Sequence, residues 1–252
     1  MAEMKAAGQE PEILFWVGCA GSYDDRAKKI TASFAKILNS LGIVWTILGT
    51  EESCTGDPAK RAGNEFLFQM QAMSNIQILN EYNVKKIVTA CPHCFNMLKN
   101  EYPALGGQYE VIHHSQLLAD MLKEGKLKVN QEAFGNKKMT YHDPCYLGRG
   151  NDIFDAPREL IESLTNDLTE MKRNRRDGLC CGAGGAQMFK EAEKGDREVN
   201  IERMDDVEEV APDIVVSACP FCMTMMTDGV KIKEKDIEVL DLAELVAKAS
   251  NL

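Results

Sequence analysis

Short apolar runs rich in β-branched residues alternate along the chain with longer stretches in which apolar residues recur every three or four positions. The short runs predict β-strands and the longer stretches predict amphipathic helices. In the first half, strands are predicted at residues 13–17, 43–48, 87–89 and 109–112. In the second half, they are predicted at residues 139–142, 214–217 and 237–240, with a weaker candidate at 167–171.

The apolar stripes that predict the helices lie between and after these strands. They consist of Ile30, Phe34, Ile37, Leu38 and Leu41, then of Leu117, Leu118, Met121 and Leu122, and at the end of the chain of Leu242, Leu245 and Val246. Because strands that alternate with helices form parallel sheets with right-handed crossovers, each half should fold as a small open α/β unit.

The second half of the sequence repeats the first. The segment Val88-Thr89-Ala90-Cys91-Pro92 matches Val216-Ser217-Ala218-Cys219-Pro220, and the nine cysteines form two sets in the same order. The first set is Cys19, Cys54, Cys91 and Cys94, and the second is Cys145, Cys180, Cys181, Cys219 and Cys222. The copies are offset by 126 residues from Cys19 to Cys145 and by 128 from Cys91 to Cys219. We therefore predict two duplicated, Rossmann-like halves with open parallel sheets, related by a pseudo-two-fold axis, at residues 1–128 and 129–252.

Composition and charge narrow the class of protein. A formal net charge of −10 argues against a nucleic-acid partner, since phosphate binding relies on a basic surface. No run approaches the roughly 20 apolar residues that span a bilayer, and residues 1–12 lack the apolar core of a secretory signal. We expect a loose N-terminal tail on a cytoplasmic protein that can lie at the periphery of a membrane complex. Nine cysteines in that compartment indicate metal or redox chemistry rather than disulfides.

The cysteines follow the predicted strands. Since the carboxyl ends of parallel strands share one edge of a sheet, thiols separated by more than thirty residues can meet there. Zinc is the simplest metal ion that such thiols could bind. Structural zinc sites, however, usually have two Cys-x-x-Cys pairs joined by a short segment. The adjacent Cys180 and Cys181 also give the second set a fifth thiolate, for which tetrahedral zinc has no use. The pattern favours iron-sulfur clusters, with zinc or inert buried thiols as the alternatives.

The second cysteine set resembles the motif of the cysteine-rich CCG-domain family. Cys145, Cys180-Cys181-Gly182 and Cys219-Pro220-Phe221-Cys222 match that motif in full. The family includes the catalytic subunit of heterodisulfide reductase, the matching half of a longer subunit found in other heterodisulfide reductases, and iron-sulfur subunits of glycolate, lactate and glycerol-3-phosphate oxidation systems. The resemblance implies a noncubane [4Fe-4S] cluster in the second half that cleaves a disulfide by one-electron steps.

The first cysteine set departs from this motif, because Ser53-Cys54-Thr55-Gly56 stands where Cys-Cys-Gly is expected. Four thiolates remain, and that number suits either a cubane [4Fe-4S] cluster or zinc. A serine hydroxyl in a loop is more often solvated or hydrogen-bonded than bound to iron. We expect one reactive noncubane cluster in the second half and one simpler four-thiolate site in the first.

Two histidines and a glycine accompany the thiols. His142 precedes Cys145, and His93 lies inside the first Cys-x-x-Cys. Either could deliver a proton to a thiolate released from a disulfide, or could instead order the cluster loop. Gly182 would let backbone amides approach cluster sulfides closely.

Three functions follow from these observations. The first is a subunit that reduces a disulfide or heterodisulfide of a small molecule, and the second is an electron-transfer subunit of a dehydrogenase or quinone-linked complex. The third is a zinc-bound scaffold. The chain has no ferredoxin-type cysteine run and no flavin or nicotinamide fingerprint. A redox role therefore requires a ferredoxin-like iron-sulfur subunit, itself linked to a flavoprotein or a membrane cytochrome.

Overall fold

The computed structural model describes residues 1–191 and 194–252, in which strands and helices alternate as the sequence pattern predicts. The strands are β1 (Ile13–Trp16), β2 (Trp45–Thr46), β3 (Lys86–Thr89), β4 (Glu110–His113), β5 (Met139–Tyr141), β6 (Ile214–Ser217) and β7 (Glu238–Asp241). The helices of the first half are α1 (Ala2–Ala6), α2 (Gly18–Tyr23), α3 (Ala27–Ser40), α4 (Asp57–Arg61), α5 (Glu65–Glu81), α6 (Pro92–Asn96) and α7 (His114–Lys123). Those of the second half are α8 (Gly148–Asn151), α9 (Asp155–Glu162), α10 (Val199–Val210), α11 (Pro220–Ile232) and α12 (Leu242–Ala249).

The strands form two parallel sheets, one in each half. The first has the order β2-β1-β3-β4 and the second the order β5-β6-β7. The predicted fold class, two duplicated α/β halves with Rossmann-like parallel sheets, is confirmed. Residues 167–171 were predicted as a strand and make only one parallel bridge, between Leu168 and Met139, at the edge of β5. That bridge occupies the place that β2 takes beside β1, so the topology is retained although the strand is not.

Helix α3 shows how the apolar stripe fixes the fold. Its residues Ile30, Phe34, Ile37 and Leu38 are fully or almost fully buried. The Asp24 carboxylate accepts a hydrogen bond from the Ala27 amide at 2.8 Å and so satisfies one free donor at the start of the helix. Gly42, with a φ of +68°, ends the helix in the left-handed conformation that favours glycine and turns the chain toward β2.

The two halves pack symmetrically against each other. Helix α3 of the first half lies on α12 of the second, and α9 of the second lies on α7 of the first. One apolar cluster contains buried residues of both halves, among them Phe34 and Leu245. Between the sheets, His114 Nε2 lies 3.0 Å from the Asp241 carboxylate, and both side chains are fully buried. The apolar core is therefore shared by residues on both sides of the predicted boundary near residue 128.

The N-terminal residues differ from the expected loose tail. Residues Ala2–Ala6 form α1, and the amino group of Met1 donates to the Ile47 carbonyl at 2.7 Å. Across residues 1–191 and 194–252, no helix has both the length and the apolarity needed to cross a membrane.

Because the core is shared, Phe34→Ala should lower the free energy of unfolding of the whole chain by about 3–5 kcal/mol in a single transition. Urea unfolding followed by circular dichroism measures this. The matched control is Phe66→Ala, which truncates a phenylalanine that is 75% exposed and should change stability by less than about 0.5 kcal/mol. Two separate transitions, with only one displaced by Phe34→Ala, would show that the halves unfold independently.

Candidate metal centre

The first cysteine set converges where the strands of the first sheet end. Cys19 lies in α2 directly after β1, and Cys54 lies in the loop after β2. Cys91 caps the N-terminus of α6 and Cys94 lies in its first turn, directly after β3. The predicted meeting of distant thiols at one sheet edge matches these positions, and all nine cysteines carry free thiols.

The thiols of this first site interact with one another. The hydrogen bond between Cys19 and Cys54 raises the pKa of Cys19 and lowers the pKa of Cys54 to about 6. Cys91 and burial raise the pKa of Cys94 far above its usual value. In the absence of a cation, neighbouring thiols therefore oppose the ionisation of Cys19 and Cys94, whereas a shared cation would hold them all as thiolates.

The backbone of the first site approaches two of its thiols closely. The Gly56 amide donates to Cys54 Sγ at 3.4 Å, and a Cβ added at Gly18 would lie 3.2 Å from Cys94 Sγ. Gly18 also has a φ of +77°, a backbone conformation that side chains disfavour. This cradle fits a thiolate-bound metal group.

Ser53 does not join the first site. Its hydroxyl donates to the Asn75 side-chain oxygen at 2.8 Å, and the Asn75 amide donates to the Cys54 carbonyl at 3.0 Å. The hydroxyl is thus hydrogen-bonded to a side chain, and four thiols remain in the site. A residue that the sequence did not single out, Glu52, accepts hydrogen bonds from the Val17 and Gly18 amides at 3.1 and 2.6 Å. Burial raises the pKa of Glu52 to about 7.

The second cysteine set converges in the same way. Cys145 follows β5, Cys180 and Cys181 lie in the loop between α9 and α10, and Cys219 and Cys222 begin α11 after β6. Cys181 Sγ lies 3.3 Å from Cys222 Sγ. The thiols of Cys145 and Cys181 both hydrogen-bond to Cys180 and strongly lower its pKa. The adjacent pair therefore points into one site, which contains all five thiols.

Burial and backbone contacts distinguish the five thiols. Cys181, Cys219 and Cys222 are buried, whereas Cys145 and Cys180 are half-buried. The Gly182 amide donates to Cys180 Sγ at 3.3 Å from a residue with a φ of +92°. Gly182 thus brings its backbone amide to the Cys180 thiol, while its predicted approach to cluster sulfides stays a prediction.

A buried nitrogen without a partner tests whether the second site fits a cluster. His142 Nδ1 accepts from Arg203 Nε at 3.1 Å, so the neutral ring carries its hydrogen on Nε2. That nitrogen has no hydrogen-bond partner among the residues that the structure describes, and a ligand atom of His142 lies within 4.8 Å of the Cys181 and Cys222 sulfurs. Burial and the Arg203 charge lower the pKa of His142 to about 3. A neutral ring N–H beside sulfur fits a site that holds inorganic sulfide as an acceptor.

His93 lies between the two sites. Its Nδ1 lies 2.8 Å from the Asp57 carboxylate, and its ring stacks on Tyr146 with centroids 4.2 Å apart. The ring also faces the Cys219 thiol. Burial opposes a charge on this ring, but the contacts with Asp57 and Cys219 outweigh it and raise the pKa of His93 well above its usual value. Asp57 and Tyr146 have no spacing signal that would single them out in the sequence.

An open cavity of about 500 Å³ lies between the halves. It is lined by Cys19, Ala20, Tyr23, Asp24, Met188, Phe189, Phe221 and Thr224. Its walls thus include a thiol of the first site and the residue between the paired cysteines of the second. This volume and this apolar lining are typical of a site for a small molecule.

Comparison with known proteins assigns the chain to a family. The profile of the CCG family, described as a cysteine-rich domain, matches twice, at residues 13–99 and 139–227. The chain belongs to this family, and the resemblance seen in the cysteine motif is confirmed.

The relatives include several redox proteins. A probable iron-sulfur-binding oxidoreductase, FadF of Bacillus subtilis, is 46% identical over 98% of this chain and 35% of its own length. The EtfAB:quinone oxidoreductase of Syntrophomonas wolfei is 42% identical over 96% of this chain and 35% of its own length. A subunit of the dihydromethanophenazine:CoB–CoM heterodisulfide reductase of Methanosarcina barkeri is 37% identical over 96% of this chain and 59% of its own length. The chain thus spans about a third of the length of the first two relatives.

The cradle of the first site predicts a selective effect of Gly18→Ala. The new methyl group would crowd Cys94 Sγ, so metal bound by the first site should fall several-fold while the second site keeps its own. The matched control is Gly42→Ala, which places alanine at a similar φ of +68° with open space around it. Metal analysis of both purified variants measures the difference, and equal metal loss in both would show that backbone strain alone is responsible.

Proposed function

We propose that the chain is an iron-sulfur oxidoreductase subunit that reduces a disulfide or heterodisulfide at a noncubane [4Fe-4S] cluster. Cys145, Cys180, Cys181, Cys219 and Cys222 would hold that cluster. The observation that carries the proposal is the convergence of five thiols, with an adjacent pair, on one largely buried site. The oxidoreductase names of relatives 46% and 42% identical to this chain support the redox class.

The four thiols of the first site, Cys19, Cys54, Cys91 and Cys94, would hold a [4Fe-4S] cluster or zinc. Four thiolates satisfy either group. Ser53 is engaged by Asn75 and supplies no fifth ligand. The two sites would therefore differ in chemistry although the duplication made them alike.

Cleavage of a disulfide takes two electrons and two protons and releases two thiols. When bound, the cluster supplies the electrons one at a time. The apolar cavity would bind the substrate between the two sites. Phe221 and Met188 would hold the substrate close to the second site, because Phe221 lies between Cys219 and Cys222 and Met188 packs against the thiols of that site.

The protons would come from His93 or His142, the two donors that the sequence suggests. Asp57 and Cys219 favour the charged form of His93, which suits a proton donor, although His93 lines a narrow cleft beside the loop that follows Cys181 rather than the cavity itself. The lowered pKa of His142 favours a neutral ring, which would donate a hydrogen bond to sulfur rather than a proton.

The electrons would reach the chain from a ferredoxin-like iron-sulfur partner linked to a flavoprotein or a membrane cytochrome. Relatives about three times as long as the matched region support such an assembly, since this chain aligns with only 35% of their length. We place the assembly in the cytoplasm or at the cytoplasmic side of a membrane.

A second candidate function is electron transfer between a dehydrogenase partner and a quinone or other carrier, without substrate chemistry in this chain. The name and 42% identity of the EtfAB:quinone oxidoreductase favour this candidate. The third possibility, a zinc-bound scaffold, needs no fifth thiol in the second site.

Cys180→Ser tests the cluster assignment. It should reduce the second site to four thiolates, abolish the paramagnetic resonance of the unusual cluster and remove disulfide cleavage. The matched control is Ser53→Ala at the equivalent position of the first copy, which should leave that resonance intact. An unchanged spectrum in Cys180→Ser would show that Cys180 is not a ligand.

A mixed disulfide distinguishes substrate reduction from pure electron transfer. Added to the oxidised protein under anaerobic conditions, it should shift the resonance of the second-site cluster, because the substrate sulfurs would contact that cluster. No shift at saturating disulfide, with a normal response to a chemical reductant, would favour the electron-transfer function.

A further inference from the structure

The side chain at the third position of each Cys-Pro-x-Cys motif meets its duplicate across the interface of the halves. His93 and Phe221 occupy this position in the first and second copies. Their ring centroids are 5.0 Å apart in an edge-on contact. Although His93 belongs to the first motif, its ring stacks on Tyr146, the neighbour of Cys145, and faces Cys219. A side chain of the first motif thus reaches into the surroundings of the second site.

Asp57 fixes the orientation of this ring. One of its carboxylate oxygens lies 2.8 Å from His93 Nδ1, and the other accepts from Arg61 Nε at 3.2 Å. Arg61 also donates to Glu101 at 2.8 Å, and Asp57 is only 4% exposed. With Nδ1 donating to a carboxylate that is itself held, Nε2 is left to face Cys219.

The arrangement is confined to one copy. Applying the 127-residue offset between Cys54 and Cys181 to Asp57 leads to Gly184, and His93 corresponds to Phe221. The second copy thus has neither the carboxylate nor the imidazole that an equivalent contact with Cys91 of the first site would need. A cleft of only about 10 Å³, lined by Asp57, His93, Ala183 and Phe221 among others, leaves room for roughly one water molecule. The contact is accordingly well shielded from solvent.

From this asymmetry we infer that Asp57 and His93 are positioning residues that the first half supplies to Cys219 of the second site. The inference rests on the proposed cluster. A polar hydrogen that faces a ligand sulfur stabilises the more negative, reduced state of a cluster and raises its reduction potential. Asp57 acts through His93, by holding the ring toward Cys219. The reduction potential of the second site thus depends on a side chain from the motif of the first.

Replacing His93 by the residue of its duplicate tests this inference. In His93→Phe, the ratio of reduced to oxidised second-site cluster at a fixed potential should fall about tenfold, which is about 59 mV for a one-electron step. The readout is a potentiometric titration of the resonance that Cys180→Ser abolishes. His93→Gln, whose amide can still direct an N–H toward Cys219, should shift the potential less. Asp57→Asn, which keeps an acceptor for Nδ1 but removes the charge, should fall between the wild type and His93→Phe.

Lys60→Gln is the control for general charge effects. Lys60 pairs with Glu101 at 2.8 Å, on the far side of Arg61 from the ring, so its loss should leave the second-site potential unchanged. An unchanged second-site potential in His93→Phe, or equal shifts in His93→Phe and Lys60→Gln, overturns the inference.

Failure of the proposed function gives a different result. If the wild-type chain binds no cluster in its second site, the proposed function fails, and the contact itself is then tested in metal-free protein. In a double-mutant cycle by urea unfolding, the effects of His93→Phe and Cys219→Ala should be non-additive. Additive effects overturn the inference, and the same cycle applies if His93→Phe cannot assemble a cluster.

Discussion

The structure depends on one electrostatic constraint, which is that nine thiols must be gathered into two sites that solvent reaches poorly. Neighbouring thiolates repel each other, and in the first site the hydrogen bond between Cys19 and Cys54 divides the pKa values, with Cys54 lowered to about 6 and Cys19 raised far above its usual value. In the second site, burial opposes ionisation of Cys219, yet contacts with Cys222 and His93 lower its pKa to about 5. A bound cation removes the conflict, because it holds every thiol as a thiolate.

The fold meets this constraint with parallel sheets and a duplication. Each sheet delivers its cysteines at the carboxyl ends of its strands, and the pseudo-two-fold packing of α3 on α12 and α9 on α7 joins the halves through a common core. The duplicated Cys-Pro-x-Cys turns then meet at the interface. Two sites that arose as copies consequently lie side by side, with a cavity between the halves that is lined by Cys19 of the first site and by Phe221 of the second motif.

Much of this could be predicted from the sequence, because periodicity and cysteine spacing are local signals. Short apolar runs rich in β-branched residues predicted β1, β3, β4, β5, β6 and β7. The repeated order of the cysteines predicted the duplication. The strand predicted at 167–171 failed because only Leu168 pairs with β5. Whether a short segment at the edge of a sheet forms a strand depends more on its packing against the adjacent strand than on its own pattern of apolar residues.

Periodicity and cysteine spacing do not predict the side-chain contacts of His93. His93 was identified from its place between Cys91 and Cys94, but its partners Asp57 and Tyr146 are 36 and 53 residues away and follow no motif. The fold of the first half brings Asp57 to His93, and the packing of the second half on the first brings Tyr146 to the same ring. Two exchanges between equivalent positions, His93 for Phe221 and Asp57 for Gly184, are visible in the sequence and show that the copies differ there.

The central claim is that the thiols of the second site hold iron and sulfide rather than zinc. The most direct measurement is the iron, inorganic sulfide and zinc content of the anaerobically purified chain, with paramagnetic resonance of its oxidised and reduced forms. The account predicts iron and sulfide equivalent to at least one [4Fe-4S] cluster per chain, with a resonance that responds to redox state, and either iron or zinc in the first site. Zinc in both sites, without iron or sulfide, would contradict it.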